Sequence, residues 1–250
     1  MKRAKSVVVS TLWAVIVIAF PVSSGVVIVV SKLNAINSRL IQAAFMCLSM
    51  AVPFLYCKFM NIDSKEIMLK EFDQNGVKTC LYYIPLIIVL LPLIITGVNL
   101  SNTHYTLAVL LFTLSVGMAE ELYFRGIILR LLSENFSALP TIFIATLIFG
   151  IGHVSSAFME SNPVMILLTV INALLFGWLA TEVALITKNI IPLMIFHCLF
   201  DFFTYQMLAT GNVMIVAYTV RGTLMTIVAI YLLIRLKNSL KRPSPNFDSA

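Results

Sequence analysis

The stretch Met118-Ala119-Glu120-Glu121-Leu122-Tyr123-Phe124-Arg125 sets two adjacent acids and an arginine within an apolar region of the chain. A charged side chain at the centre of a membrane helix costs about 2.5–3.5 kcal/mol even on the milder insertion scales. Ionisable residues in such helices usually face a polar cavity and take part in chemistry or conduction. Glu120 and Glu121, with Arg125 about one turn later, are therefore the first candidates for a functional site.

The composition around this stretch is typical of a membrane protein. Of the 250 residues, 60% are hydrophobic and 11% are charged, and the mean hydropathy is +0.99. Soluble domains are about 45–50% apolar and about 25% charged. The net charge of +6 does not indicate a nucleic-acid partner, because the basic residues lie in short loops and no basic patch with interleaved aromatic residues occurs. The partner implied by the composition is the lipid bilayer.

Apolar segments recur along the whole chain. A helix that crosses the hydrocarbon core needs about 20 mostly apolar residues, and eight segments reach or approach that length. The sequence therefore predicts an all-α, polytopic membrane helix bundle with about eight transmembrane helices. The predicted segments are Val7–Val30, Leu40–Phe59, Cys80–Val98, Tyr105–Leu122, Thr141–Phe158, Val164–Ile186, Ile190–Leu208 and Val213–Ile234.

The distribution of basic residues predicts the orientation of these helices. Most of the 17 Lys and Arg residues fall on one side of the membrane if both termini are cytoplasmic. The first apolar segment follows basic residues as in a signal peptide, but it continues to Val30 and is long enough to span, so we expect it to be retained. We expect one membrane domain over residues 1–240 and a disordered cytoplasmic tail over residues 241–250.

The acidic pair and the arginine suggest two different roles for the two acids. Glu121 and Arg125 are four residues apart and share a helix face, so they can form an ion pair. Glu120 is rotated by about 100° and lacks that partner, which suits a general base that takes a proton from water. The alternative is that all three residues form a solvated helix end at the cytoplasmic interface.

Two later apolar segments also contain ionisable groups. In Phe149–His153, two glycines next to the histidine allow another helix to approach. In His197–Asp201, the four-residue spacing puts the imidazole and the carboxylate on one face, where the acid can fix the ring tautomer. Taken alone, His153 is equally compatible with a structural histidine that is held by a hydrogen bond.

Separate burial of these ionisable groups would be very costly, so we expect them to converge around one small cavity. Glu120, His153 and His197 would then form the ligand set of a catalytic zinc with an open position, or a metal-free site that activates water. The spacing does not choose between these, and the H-E-x-x-H motif is absent. The predicted helix ends place Glu120 toward the cytoplasmic side of the membrane and His153 deeper, toward the outer side. For the two residues to meet, either the fourth helix starts later or the fifth starts earlier, through Phe136–Leu139.

These motifs resemble those of the CAAX-protease and bacteriocin-processing (CPBP, or Abi) family of intramembrane proteases. Glu120–Arg125 matches E-E-x-x-x-R, Phe149–His153 matches F-x-x-x-H, and His197–Asp201 matches H-x-x-x-N/D, in the family's order. The resemblance covers about residues 118–201. One of these patterns alone is weakly specific, whereas three in order within predicted helices form a strong signal.

The resemblance implies a role for each matched residue in an intramembrane endopeptidase. Glu120 would activate water, and His153 would position or polarise that water. His197 and Asp201 would stabilise the oxyanion or bind a metal. Prenyl-protein proteases of the family carry Asn at the position of Asp201, and an ionised Asp cannot donate to an oxyanion. Asp201 is therefore expected to be protonated, to bind a metal or to orient His197, and we favour the orienting role. Supporting roles would fall to Glu121, Arg125 and Phe149.

The resemblance also implies the substrate class and the location. The expected substrate is a membrane-associated peptide, such as a bacteriocin or pheromone precursor, or a membrane protein, and the expected location is the bacterial plasma membrane. The cofactor is either zinc or none. A non-proteolytic partner, such as a bacteriocin-immunity or sensor-kinase accessory protein, is the alternative function. A proton-coupled transporter is a third, but the repeat symmetry and broken helices of transporters are not evident in the sequence.

Overall fold

The computed structural model describes residues 2–70, 81–154 and 162–241. Within these ranges the regular structure is helical, and the β contact found there is an isolated bridge between Val98 and Met207. The predicted all-α class is therefore confirmed, whereas the predicted tail lies almost entirely outside the described residues. The helices are α1 (Lys2–Val30), α2 (Ala35–Ser49), α3 (Ala51–Met60), α4 (Ile84–Ile95), α5 (Thr103–Glu121), α6 (Leu129–Ser133), α7 (Ala138–Gly152), α8 (Pro163–Thr187), α9 (Ile191–Gln206) and α10 (Gly211–Lys241).

Each predicted apolar segment overlaps one of these helices, and the polytopic membrane character is confirmed. In the described part of the chain, five helices are long and apolar enough to cross a membrane. Two shorter apolar helices cover Leu81–Ile95 and Ala138–Gly152. The total of eight spans stays a prediction. The five long candidates are Lys2–Val30, Ala35–Met60, Thr103–Ser133, Pro163–Thr187 and Gly211–Lys237.

Asparagine caps fix where three of these helices begin. The side chains of Asn34, Asn102 and Asn162 accept hydrogen bonds from the backbone N–H groups in the first turns of α2, α5 and α8. Such caps satisfy donors that have no partner inside the helix. The polar breaks between apolar segments in the sequence therefore become the starts of the helices that build the bundle.

The helix that carries the acidic pair is longer than the sequence predicts. The predicted end at Leu122 is wrong, because the chain continues through a buried π-helix, Leu122–Ile128, into α6. Thr103–Ser133 thus forms one helix of 31 residues, and the two acids lie in its interior. Since α7 already begins at Ala138, the structure also favours an earlier start of the fifth apolar helix over a later start of the fourth.

Helix α5 lies at the centre of the packing that positions the acids. It packs against α2 on one side and α9 on the other, while α8 packs against both α7 and α10. Gly117 permits the close approach of α5 and α9, because a Cβ atom there would lie 2.7 Å from the carbonyl oxygen of Met194 and 2.9 Å from the backbone nitrogen of Cys198. The backbones of the two helices are therefore nearly in contact one turn before the acidic pair.

Candidate active site

Glu121 connects two helices through one carboxylate oxygen. Its side chain is fully buried, and its Oε1 accepts a hydrogen bond from Arg125 Nη1 at 3.0 Å. The same oxygen lies 2.7 Å from His197 Nδ1 on α9. An acceptor at that distance assigns the ring proton to Nδ1 and leaves Nε2 to face other groups. The predicted Glu121–Arg125 pair is present, and the contact with His197 joins it to the second motif.

Arg125 is held in an aromatic enclosure. Its guanidinium carbon lies 4.5 Å from the ring centroid of Phe149 and 5.7 Å from that of Phe176. Its Nη2 donates to the carbonyl oxygen of Gly177 at 3.4 Å, and the whole side chain is only 1% exposed. Aromatic faces attract a cation, and here they complement the ion pair with Glu121. The residue reaches this place from the π-helix, a feature that is frequent at functional sites.

Phe149 occupies the centre of the site rather than its edge. Its ring contacts the imidazole of His153 with centroids 4.7 Å apart and lies edge-on toward that of His197 at 6.3 Å. Gly177 makes room for it, because a Cβ on Gly177 would come within 3.0 Å of the Phe149 ring. The phenylalanine of the F-x-x-x-H motif thus lies close to both histidine rings and to the guanidinium of Arg125.

Glu120 and Asp201 both approach the free side of the His197 ring. The Nε2 atom of His197 lies 3.9 Å from Glu120 Oε2 and 3.7 Å from Asp201 Oδ2. The side chains of Glu120 and Asp201 are 18% and 22% exposed, so both retain some access. Glu120 Oε2 is itself buried and has no hydrogen-bond partner among the described residues. With Glu121 fully buried, the solvated helix end considered from the sequence does not occur.

His153 is the C-cap residue of α7, which packs against α8. Its Nδ1 lies 3.1 Å from the carbonyl oxygen of Phe149 in the preceding turn, and its ring is partly buried. The ring of Phe149 lies near both this imidazole and that of His197. Gly150 allows this placement, because a Cβ atom there would overlap the side chain of Leu174 on α8. The structure thus places His153 in the neighbourhood of the other site residues.

The partner of His197 differs from the one expected. The sequence predicts that Asp201 orients the ring, but the short hydrogen bond comes from Glu121, and Asp201 at 3.7 Å lies beyond hydrogen-bond distance. Glu121 and His197 are 76 positions apart, so no local spacing in the sequence could have indicated this contact. Asp201 instead flanks the Nε2 side, together with Glu120.

Arg221 forms a second buried polar cluster that the motifs do not include. The guanidinium donates from Nε to Asn172 Oδ1 and from Nη1 to Thr204 Oγ1, each at 2.9 Å. It lies between the rings of Phe200 and Tyr218, at 4.4 and 4.2 Å. The sequence could indicate only that an arginine in the last apolar segment needs a polar partner. Thr204 places this cluster one turn beyond Asp201 on α9.

The sequence left open a zinc site formed by Glu120, His153 and His197. Within residues 2–70, 81–154 and 162–241, no three His, Cys, Asp or Glu side chains are grouped so that they could hold a metal ion. The set Glu120, His153 and His197 is therefore not gathered as zinc ligands in this structure. What the geometry does provide is a carboxylate with a free oxygen, an oriented imidazole and a second acid beside it.

Gly117→Ala tests whether the close approach of α5 and α9 holds the site together. Alanine stabilises a helix interior by about 1 kcal/mol over glycine, but here its Cβ would meet backbone atoms that cannot rotate away. We expect overpacking to dominate and to lower the free energy of unfolding by about 1–3 kcal/mol, with loss of the Glu121–His197 contact. Thermal unfolding in detergent measures this effect. Gly25→Ala is the matched control, since nothing lies within 4 Å of its added Cβ, and equal stability changes in the two variants would contradict the expectation.

Comparisons with known proteins bear on the same segment of the chain. The family model described as type II CAAX prenyl endopeptidase Rce1-like matches residues 102–203. A search of the curated proteins and a search of the solved structures found no significant match. The matched segment extends from the start of α5 to the last turns of α9 and contains every residue of the three motifs. The match covers less than half of the chain, and it supports the resemblance to the CPBP intramembrane proteases that the motifs indicated.

Proposed function

We propose that this protein is an intramembrane endopeptidase in which Glu120 activates the attacking water. The observation that carries the proposal is the buried Oε2 of Glu120, which has no hydrogen-bond partner in the described part of the chain. Buried polar atoms are nearly always paired, and this one faces His197 Nε2 across 3.9 Å. A gap of this size between polar atoms suits a bridging water, so the free oxygen marks where the nucleophile binds.

The proposed reaction needs only side chains of this chain. Glu120 takes a proton from the water, and the hydroxide attacks the carbonyl carbon of the scissile peptide bond. In this step His197 is in its imidazolium form: Nδ1–H donates to Glu121, whose carboxylate stabilises the positive charge, and Nε2–H donates to the oxyanion that develops. His153 positions the water. Glu120 then returns its proton to the leaving nitrogen, the C–N bond breaks, and a carboxylate and an amine are released.

Asp201 has a distinct part in this proposal. An ionised Asp cannot donate to an oxyanion and would repel it at short range. Asp201 lies 3.7 Å from His197 Nε2 and outside hydrogen-bond distance, so we propose that its negative charge favours the imidazolium form of His197 and thereby keeps a proton on Nε2 for the oxyanion. Glu121 then orients the His197 ring, and Asp201 stabilises the proton on Nε2.

The proposal includes the membrane setting. The protein would be one domain over residues 1–240, with eight spans and both termini on the cytoplasmic side of a bacterial plasma membrane. Apolar helices and the membrane-protease family support an integral membrane protein with a peptide substrate. The substrate would be a membrane-associated peptide or a membrane protein. The alternative, a non-proteolytic accessory partner, requires neither a free Glu120 oxygen nor an oriented imidazole.

Direct cleavage distinguishes the enzyme from the accessory partner. The purified protein in lipid nanodiscs is incubated with membrane-associated peptides, including peptides with a prenylated CAAX end, and the products are identified by mass spectrometry. We expect one new carboxyl end and one new amino end from wild type and none from Glu120→Ala. An absence of products from wild type, combined with a host phenotype that Glu120→Ala leaves intact, would favour the accessory partner.

Chelation tests whether a metal takes part. If the side chains alone activate the water, treatment with 1,10-phenanthroline followed by removal of the chelator should leave the cleavage rate within about twofold of the untreated protein, since no proton transfer then passes through a metal. A rate that falls and returns on addition of Zn²⁺ would instead identify Glu120, His153 and His197 as metal ligands. The non-chelating isomer 1,7-phenanthroline is the control for disturbance of the lipid.

A further inference from the structure

A cavity of about 280 Å³ lies at the end of the bundle where α6 and α8 end and α7 begins. Small-molecule pockets have volumes of about 300–1,000 Å³, so the cavity can hold a headgroup or the first part of an acyl chain, but not a whole lipid. Its walls are mainly apolar, and two polar side chains line it as well. The apolar residues are Phe136, Leu185, Ile186 and Leu236, and the polar ones are Ser133 and Lys188.

The cavity lies at the level where the candidate membrane spans end. The spans Thr103–Ser133, Pro163–Thr187 and Gly211–Lys237 each end at a residue that lines the cavity or at its immediate neighbour in the chain. The ends of spanning helices meet the layer of lipid headgroups. A ligand of this cavity can therefore have its polar part in the headgroup layer and its apolar part among the helix ends.

Two cations at this cavity have no acidic partner among the residues that the structure describes. The Lys188 ammonium forms no ion pair there, and neither does the guanidinium of Arg3, which lies 5.6 Å from the ring centroid of Phe136. Glu134, which follows Ser133 in the chain, pairs with Arg130 instead. Both cations are exposed, so an anion can reach them.

The position of Lys188 is fixed by the end of α8. It is the C-cap residue in a left-handed conformation, and its N–H donates to the carbonyl oxygen of Ala184. The carbonyl oxygen of Lys70 accepts a hydrogen bond from Asn189 Nδ2 at 3.2 Å, which places a further lysine close by. Desolvation by the surrounding protein and the positive charge of Lys70 lower the pKa of the Lys188 ammonium. An anion bound beside Lys188 would compensate both effects.

The backbone adds hydrogen-bond donors at the same place. Ala138, the first residue of α7, lines the cavity, and the preceding Ser137 makes no side-chain hydrogen bond to the first turn. The N–H groups at the start of a helix attract phosphate oxygens. Their effect adds to that of Lys188 and Arg3, and all three favour a phosphate group over a carboxylate held by a single cation.

We propose that this cavity binds one anionic phospholipid, with the phosphodiester at Lys188 and Arg3 and the start of an acyl chain in the apolar part. The apolar walls favour a lipid over a free phosphate ion, which would leave Leu185 and Leu236 without an apolar partner. The two cations favour an anionic lipid over a zwitterionic one, whose own ammonium group they would repel. The proposal is independent of the proposed function, since it concerns residues outside the candidate active site.

The test measures lipid binding to the purified full-length protein in detergent micelles by native mass spectrometry. The probes are phosphatidylglycerol and phosphatidylcholine with identical acyl chains. We expect wild type to bind the first phosphatidylglycerol at least about 10-fold more tightly, the factor expected for one charge-assisted contact. Lys188→Gln should reduce this affinity to about that for phosphatidylcholine, Arg3→Gln should reduce it less, and Lys188→Arg should retain it.

Ser133→Trp tests the cavity separately from the charges. Ser133 is exposed and lines the cavity, so an indole at this position can fill the space without displacing core side chains. The variant keeps both cations, yet it should lose the preference for phosphatidylglycerol. A preference that survives in Ser133→Trp would contradict the cavity as the binding site.

Lys58→Gln is the matched control for the charge variants. It removes an exposed cation near the end of α3 and should leave the preference unchanged. Equal affinities of wild type for the two lipids would overturn the proposal, and so would equal losses in Lys58→Gln and Lys188→Gln, which indicate general attraction to surface charge. Displacement of phosphatidylglycerol by millimolar inorganic phosphate would assign the cavity to a soluble anion and overturn the lipid. If Lys188→Gln does not fold, Arg3→Gln and Ser133→Trp decide the question by the same criteria.

Discussion

A Glu120→Gln variant is expected to fold normally and to lose about 10²–10⁴-fold in kcat, because general base catalysis contributes about that much and an amide cannot take the proton of water. The substitution changes one atom of a side chain whose Oε2 has no hydrogen-bond partner in the described part of the chain, so the packing of α5 should not depend on it. The rate of product formation under single-turnover conditions measures the loss. Unchanged thermal unfolding shows that the loss is chemical.

Glu134→Gln is the matched control for this variant. Glu134 follows the same long helix, but its side chain is 51% exposed and pairs with Arg130 at 3.4 Å. An exposed ion pair of this kind contributes little to stability, so cleavage should stay at the wild-type rate. A Glu120→Gln enzyme with kcat within tenfold of wild type would remove Glu120 from the role of base and would shift attention to Asp201.

Removal of the Glu121 carboxylate is expected to cause the largest loss of stability. In Glu121→Ala the guanidinium of Arg125 stays buried without its counter-ion, and His197 Nδ1 loses its acceptor. A buried charge left without its partner costs about 3–5 kcal/mol. Thermal or SDS-induced unfolding of the purified protein measures this change, and cleavage should be lost in the same variant because the imidazole is no longer oriented.

A double variant separates the two consequences of that substitution. Replacing both members of a buried ion pair with apolar residues of similar volume is often neutral or stabilising. Glu121→Leu combined with Arg125→Met should therefore recover much of the stability that Glu121→Ala loses, while cleavage remains absent. Equal instability of the single and the double variant would show that the ion pair has no dominant part in the fold and that the cavity left by the side chains matters more.

The helices could be predicted from the sequence because their signal is local. A run of apolar residues interrupted by Asn, Pro or Gly carries the information about its own ends, and the caps Asn34, Asn102 and Asn162 lie where such interruptions occur. The end of α5 could not be found in this way. Residues 122–128 contain Arg125 and are followed by the charged residues Arg130 and Glu134, a pattern that is typical of a helix end. In the structure these residues form a π-helix that is buried by contacts with α1 and α3.

In the candidate site, too, the features within one helix could be predicted and the contacts between helices could not. Glu120, Glu121 and Arg125 could be proposed from one helix, and His197 with Asp201 from another, because residues four apart share a face. Which acid holds which ring nitrogen depends on how α5 and α9 are rotated against each other, and the sequence does not contain that rotation. Arg39 shows the same limit, because its position over Tyr205 and Phe112 depends on three helices at once.

Gly117 also determines the direction from which a substrate can arrive. The added Cβ would meet main-chain atoms of α9, so the two helices pack too closely at this point for any side chain larger than that of glycine. The two helices are therefore closely packed beside Glu121, while Glu120 and Asp201 keep partial exposure. Under the proposed function, a peptide would reach the site from the side of these two carboxylates, without separation of the helices that align the imidazole.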